Sequence, residues 1–76
     1  MATTTQADFE RADQIGAILR ADGINPSSFE VDGSTVIYHL DSLPQARAAR
    51  DLVVERGYRR VTARNVCGSP SLIVRR

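Results

Sequence analysis

The chain has 76 residues, ten arginines, no lysine, one cysteine and a formal net charge of +1. A chain of this length forms one domain and buries only about 60% of the surface that its unfolded state exposes. The single cysteine excludes an internal disulfide and a cysteine-based zinc site, and no segment approaches the roughly 20 apolar residues of a membrane span. No basic and apolar leader opens the sequence. We expect a soluble, cytoplasmic domain over residues 6–76, preceded by a flexible N-terminus over residues 1–5.

The first predicted element is an amphipathic helix that begins near Thr5. Thr5 stands three residues before Asp8, a weaker form of the capping box that starts helices. An apolar stripe at three- and four-residue spacing then predicts a face packed on a core. Its members are Phe9, Ala12, Ile15, Gly16 and Leu19. Gly23 and Ile24 predict the helix end, because glycine readily takes the left-handed conformation of a C-terminal cap.

A hairpin of two short strands is expected next. Phe29 and Val31 alternate with a polar residue, which is typical of a half-buried strand. The pair Asp32-Gly33 favours a tight type I′ turn, in which both central residues have positive φ. The return strand is expected over residues 35–40.

The second helix has a stronger start signal. Ser42 and Gln45 form a capping box, and Pro44 stands in the first turn, where its missing N–H costs nothing. Gly57 predicts the end of this helix. The expected packing side consists of Ala46, Ala49, Leu52, Val53 and Arg56. Small alanines on that side allow close approach to a sheet.

Two further strands, over residues 58–66 and 71–75, complete the chain around a turn at Gly68-Ser69-Pro70. The order is two tandem α-β-β units. It resembles, at the level of the fold, a circular permutation of the ferredoxin-like pattern. We expect an α+β two-layer sandwich, with a four-stranded antiparallel sheet in the order 3-4-2-1 and both helices on one face. The second and fourth strands are placed in the centre because they carry the longest apolar runs, whereas arginines mark the third strand as an edge.

The face of this sheet without helices is the candidate binding surface. Alternation along the strands places on it Glu30, Thr35, Ile37, His39, Arg60, Thr62, Arg64, Ile73 and Arg75. The same alternation predicts that Ile37 and Ile73 are exposed at its centre. Because an apolar centre with a polar rim is typical of a protein interface, we interpret this face as a contact surface. The rim residues proposed to bind a partner are His39, Arg60, Arg64 and Arg75. Ordinary solvent exposure of both isoleucines is the competing interpretation, and the apolar run 72–74 leaves the phase of the last strand open.

Charge is divided unevenly along the chain. Residues 1–40 hold two arginines against six acidic residues, and residues 41–76 hold eight arginines against three. These eight are Arg47, Arg50, Arg56, Arg59, Arg60, Arg64, Arg75 and Arg76. We expect Asp51 to neutralise Arg47, and Glu55 its neighbouring arginines. A basic half can bind nucleic acid, but single-strand readers interleave aromatic residues with the basic groups, and the expected open face has none.

His39 and Cys67 are the only residues of their types. We expect no catalytic dyad, because no third group orients His39 and so small a domain leaves little concavity for a substrate. The aspartates lack metal-ligand spacing, and glycine-rich phosphate loops are absent. The sequence therefore predicts no catalytic residue, no metal site and no cofactor.

The functional expectation is a small, non-enzymatic protein-binding module that uses its open sheet face or an edge strand. Compact domains of this kind often act as accessory regulators or inhibitors of larger assemblies, including those carried by phages. The second hypothesis is a nucleic-acid-binding module that uses the basic C-terminal half. A homodimer is expected, through the sheet face or head-to-tail through the oppositely charged halves.

Overall fold

A computed structural model describes residues 4–75 of the chain. Within that range the order is helix, strand, strand, helix, strand, strand. The helices are α1 (Gln6–Ala21) and α2 (Leu43–Glu55), and the strands are β1 (Ser28–Asp32), β2 (Thr35–His39), β3 (Arg60–Val66) and β4 (Ser69–Arg75). Each half of the chain is therefore one α-β-β unit. No helix between residues 4 and 75 has the length and apolar character needed to cross a bilayer.

The four strands form one antiparallel sheet in the order β1-β2-β4-β3. The central strands are β2 and β4, where the apolar runs of the sequence placed them, and β1 and β3 are the edges. Read from the other edge, this order has the same neighbouring pairs as the expected order 3-4-2-1.

Both helices pack on one face of the sheet around a single apolar core. The buried core residues are Ala12, Ile15, Leu19, Ile24, Val36, Tyr38, Leu40, Ala46, Ala49, Val53, Leu72 and Val74. Two predictions about the packed helix faces were wrong, because the residues concerned are exposed. Phe9 is 50% exposed because it lies at the margin of the buried stripe, and Arg56 is the exposed C-cap residue of α2.

The helix starts follow the capping signals. In α1, the backbone N–H of Asp8 donates to Thr5 Oγ1 (3.3 Å), and Asp8 Oδ2 accepts from the N–H of Thr5 (2.9 Å). In α2, Ser42 accepts from the N–H of Gln45 (3.3 Å), but the Gln45 side chain accepts from the N–H of the residue before the cap (3.1 Å). Of the expected flexible N-terminus, residues 1–3 lie outside the described residues. Thr4 accepts a hydrogen bond from the backbone of the β1–β2 turn.

Both helices end in the same way. The N–H of Ile24 donates to the carbonyl of Leu19 (2.9 Å), and the N–H of Tyr58 donates to the carbonyl of Val53 (3.3 Å). In each case the preceding glycine has a positive φ. These are Schellman ends, in which an apolar residue folds back over the last helical turn. The two α-β-β units therefore share their helix-stop geometry.

The first hairpin differs by one residue from the sequence expectation. Asp32 pairs with Thr35, so that the central turn residues are Gly33 and Ser34. Only Gly33 has a positive φ, at 59°, which is the requirement of a type II′ turn. The expected type I′ turn at Asp32-Gly33 was therefore wrong.

The second hairpin is also shifted. Val66 pairs with Ser69, which leaves Cys67 and Gly68 as the central turn residues. Their φ values are 52° and 80°, so this hairpin has the two positive-φ residues of a type I′ turn. Strand β4 accordingly begins at Ser69 rather than at residue 71.

Candidate partner-binding surface

The helix-free face carries every residue that we expected from the sequence to contact a partner. Ile37 of β2 lies opposite Ile73 of β4, and His39 lies two residues along β2 on the same side. The arginines on this face are Arg60 and Arg64 of β3 and Arg75 of β4. The register therefore fixes the phase of the last strand, with Leu72 and Val74 facing the helices.

Ile73 is buried although no helix covers it. It is only 4% exposed, whereas Ile37 beside it is partly exposed. Ile37 from β2 and Thr62 from β3 flank it in register, because a central strand has a neighbour on each side. The expectation of two exposed isoleucines was therefore wrong for Ile73, and Ile37 is the accessible apolar residue at the centre of this face.

A chain of polar side chains crosses the same face. His39 Nε2 lies 3.2 Å from Glu30 Oε2, and His39 Nδ1 lies 3.2 Å from Ser71 Oγ. Ser71 Oγ also donates to the carbonyl oxygen of Ser69 (3.0 Å). The strand alternation in the sequence did not place Ser71 on this face. The pairing of His39 with Ser71 in the β2–β4 register indicates its position, because residues opposite one another on adjacent strands share a face.

This carboxylate-histidine-serine series has the composition of a hydrolase triad but not its accessibility. Ser71 is 0% exposed, so its hydroxyl cannot reach a substrate carbonyl, and a triad nucleophile must do so. The contacts with Glu30 of β1 and Ser71 of β4 instead hold the His39 ring between these two strands. His39 is therefore held in place and is not a freely rotating surface side chain.

The His39–Cys67 pairing that the sequence raised does not form. Both ring nitrogens of His39 lie against other groups, and Cys67 is exposed in the β3–β4 turn. The two residues therefore have separate positions and no shared contact.

Arg60, Arg64 and Arg75 form a basic strip along the β3 side of the helix-free face. Arg60 lies directly opposite Arg75 in the register. Within residues 4–75, neither Arg64 nor Arg75 forms a side-chain ion pair. The backbone carbonyl of Arg75 accepts from Arg11 at 2.9 Å, which ties the end of β4 to α1. Arg64 and Arg75 therefore present positive charge to solvent.

The expected local neutralisation of the basic half is largely absent. Asp51 pairs with Arg50 at 3.2 Å and forms no ion pair with Arg47. Between residues 4 and 75, Glu55 forms no ion pair with Arg56 or with other arginines near it. Within residues 41–75, side-chain ion pairs are therefore absent at Arg47, Arg56, Arg59, Arg64 and Arg75.

A groove of about 450 Å³ opens on the opposite side of the molecule, between α1 and β1. It is lined by Ala12, Asp13, Gly16, Arg20, Pro26, Ser27, Ser28, Phe29 and Tyr38. Phe29 stacks on Tyr38 with ring centroids 5.8 Å apart, yet it is 50% exposed. No local sequence pattern indicates this groove, because its width depends on the position of α1 above the edge strand.

In the part of the chain that the structure describes, no group of three or more His, Cys, Asp or Glu side chains is placed to hold a metal ion. Comparison of the chain with known protein families, with curated proteins and with solved structures found no match.

Proposed function

We propose that the chain is a small, non-enzymatic protein-binding module that holds an acidic surface of a larger protein assembly on its basic strip. The observation that carries the proposal is the pair Arg64 and Arg75, which are exposed on this face and form no side-chain ion pair within residues 4–75. An acidic surface of a partner would supply the carboxylates with which these two guanidinium groups can pair.

The shape and composition of the helix-free face support a protein partner. Ile37 is partly exposed beside the strip, and protein interfaces combine apolar contacts with a high content of arginine. A broad sheet face also suits a protein surface better than a small substrate, which needs a concave site. In this role the module would act as an accessory regulator or inhibitor of the assembly that it binds.

Nucleic-acid binding is the second candidate, because the same arginines would neutralise phosphates. The positions of the aromatic rings argue against it. Phe29, Tyr38 and Tyr58 lie on the helix side of the sheet, and Arg11 lies 5.8 Å from the Tyr58 ring centroid. The described helix-free face therefore lacks the stacking platform that single-strand readers use.

An oligonucleotide titration separates the two candidates. At physiological salt the protein-binding proposal expects no saturation below about 100 μM, whereas non-specific nucleic-acid binders reach about 1 μM. Binding that saturates near the lower value and falls with salt at a slope of about −0.7 to −0.9 per contacted phosphate would favour nucleic acid. In that case Arg64→Ala should reduce the slope by about one contact.

Self-association is a further proposal, and the charges of the two edges support it. Glu30 and Asp32 lie on edge strand β1, whereas Arg64 lies on edge strand β3. Because these edge strands run in opposite directions, β3 of a second copy in the same orientation can pair antiparallel with β1 and extend the sheet.

We also interpret the element order as a circular permutation of the ferredoxin-like pattern.

A further inference from the structure

The groove between α1 and β1 is a second candidate binding site, on the side of the sheet that carries the helices. The N-terminal part of α1 lies beside the β1–β2 turn, because Arg11 donates to the carbonyl of Ser34 at 3.0 Å. The chain leaves the C-terminal end of α1 and returns directly into β1. The Cα atom of Arg20 therefore lies toward one end of the groove and that of Asp13 toward the other, while the Arg20 guanidinium folds back toward Gly16.

The floor of the groove is aromatic. Tyr38 is 2% exposed and forms the base, and Phe29 lies over its edge with half of its surface accessible. A half-exposed aromatic ring in the wall of a concave site is an apolar contact available to another molecule.

Gly16 widens the groove at its middle. A glycine within a helix costs about 0.5–1 kcal/mol relative to alanine. An added Cβ would lie 3.4 Å from Arg20 Nη1 and 3.9 Å from Tyr38 Cε1, so the fold has room for a methyl group there. The fold therefore does not require the glycine, which leaves room in the groove for the Arg20 guanidinium.

The rim carries one charge of each sign. Within the described range, neither the carboxylate of Asp13 nor the guanidinium of Arg20 forms an ion pair or a hydrogen bond. The Cα atoms of the two residues are seven positions apart along α1, which corresponds to about 10 Å at 1.5 Å per residue. In an extended chain, side chains four residues apart lie on one side at a distance of about 13 Å, and flexible charged side chains absorb the difference.

We propose that this groove binds an extended peptide segment of a partner protein, which adds to β1 as a further strand. Within residues 4–75, β1 pairs only with β2, so that its outer edge is open for strand addition. Alternate side chains of the segment face the groove: a basic one at Asp13, an apolar one on the Phe29–Tyr38 floor, and an acidic one at Arg20. An antiparallel segment runs from the Asp13 end to the Arg20 end, so its order is basic, apolar, acidic.

Fluorescence anisotropy with two dye-labelled peptides of identical composition tests this inference. The first has the sequence Thr-Lys-Thr-Phe-Thr-Glu-Thr, and the second exchanges its lysine and glutamate. The native chain should prefer the first by about tenfold, because two ion pairs replace two repulsions. Combining Asp13→Lys with Arg20→Glu should reverse the preference. Equal affinity for both peptides, an unreversed preference, or no binding at about 1 mM would overturn the inference.

A groove-narrowing variant adds a readout that loss of folding cannot mimic. Gly16→Ala should raise the melting temperature, since alanine favours the helix, and should weaken binding of the first peptide severalfold. Unchanged peptide affinity in this more stable protein would contradict occupation of the groove. The strip variant Arg75→Glu, on central strand β4, should bind the peptide normally. Failure at the basic strip and failure at the groove are therefore distinguishable.

Discussion

The hydroxyl of Tyr38 donates a hydrogen bond to the backbone carbonyl oxygen of Ala12. This bond joins central strand β2 to α1 inside the core, where Tyr38 is 2% exposed. Burial raises the pKa of Tyr38 well above its ordinary value, and the carboxylate of Asp13 acts in the same direction. The neutral phenol is therefore the form that the folded state favours.

Replacement of this phenol should lower stability and flatten its dependence on alkaline pH. Tyr38→Phe should cost about 1 kcal/mol at neutral pH through the lost hydrogen bond. Because the raised pKa favours the protonated phenol in the folded state, its contribution is complete below the unfolded pKa of about 10 and is lost as the pH rises above it. Urea unfolding from neutral to alkaline pH should show a steeper loss in the native chain. If the free energy of unfolding falls equally with pH in the native chain and in Tyr38→Phe, the Tyr38 phenol is not the group responsible.

Burial of Ile73 on the helix-free face predicts an unequal pair of alanine substitutions. Ile73→Ala should destabilise the fold by about 2–4 kcal/mol, the range for a buried isoleucine. Ile37→Ala, on the neighbouring strand, should cost distinctly less because its side chain is already partly exposed. Urea denaturation of the two variants measures the difference. Equal, small costs would show that Ile73 is solvent-exposed in solution.

The β3–β4 turn offers a stabilising substitution. Cys67 has a φ of 52°, a region that costs most side chains about 1–2 kcal/mol. Cys67→Asn would create the Asn-Gly pair that type I′ turns prefer and should raise the melting temperature. Cys67→Ala is the control, because alanine keeps the unfavourable conformation. If alanine stabilises the fold as much as asparagine does, the turn is not type I′.

Association of edge strands β1 and β3 should depend on salt. Light scattering over a concentration series should detect species larger than a monomer at low salt, with less association once ionic strength shortens the screening length below about 10 Å. Reversing the charge at position 64 of edge strand β3 with Arg64→Glu should abolish association at low salt. Arg47→Glu on α2 should leave that association unchanged. A monomer at about 1 mM protein under low salt would reject edge pairing.

The sequence predicted the parts of the fold that depend on local chemistry. The caps at Thr5 and Ser42 and the helix stop at Gly23-Ile24 each depend on a few adjacent residues, and all are present. The central positions of β2 and β4 also followed from composition, because a strand with two neighbours needs a continuous apolar run. The same alternation placed the basic strip on one face.

Features set by tertiary register escaped prediction. The Asp32-Gly33 pair favours one turn locally, but pairing of Val31 with Val36 on the core side places the turn one residue later. The burial of Ile73 depends on its neighbours across two strand pairings. The groove at Phe29 depends on the distance between α1 and an edge strand, and no local pattern encodes that distance.

The most direct measurement for the basic strip is a pull-down from the native host with three baits, each performed with and without nuclease. These are the native chain, the strip variant Arg64→Glu/Arg75→Glu, and the control Arg47→Glu/Arg56→Glu, which changes the net charge equally on exposed positions outside the strip. The same protein should be retained by the native chain and the control and lost with the strip variant. Retention by the strip variant, or loss of the captured protein upon nuclease treatment, would contradict a protein-binding strip.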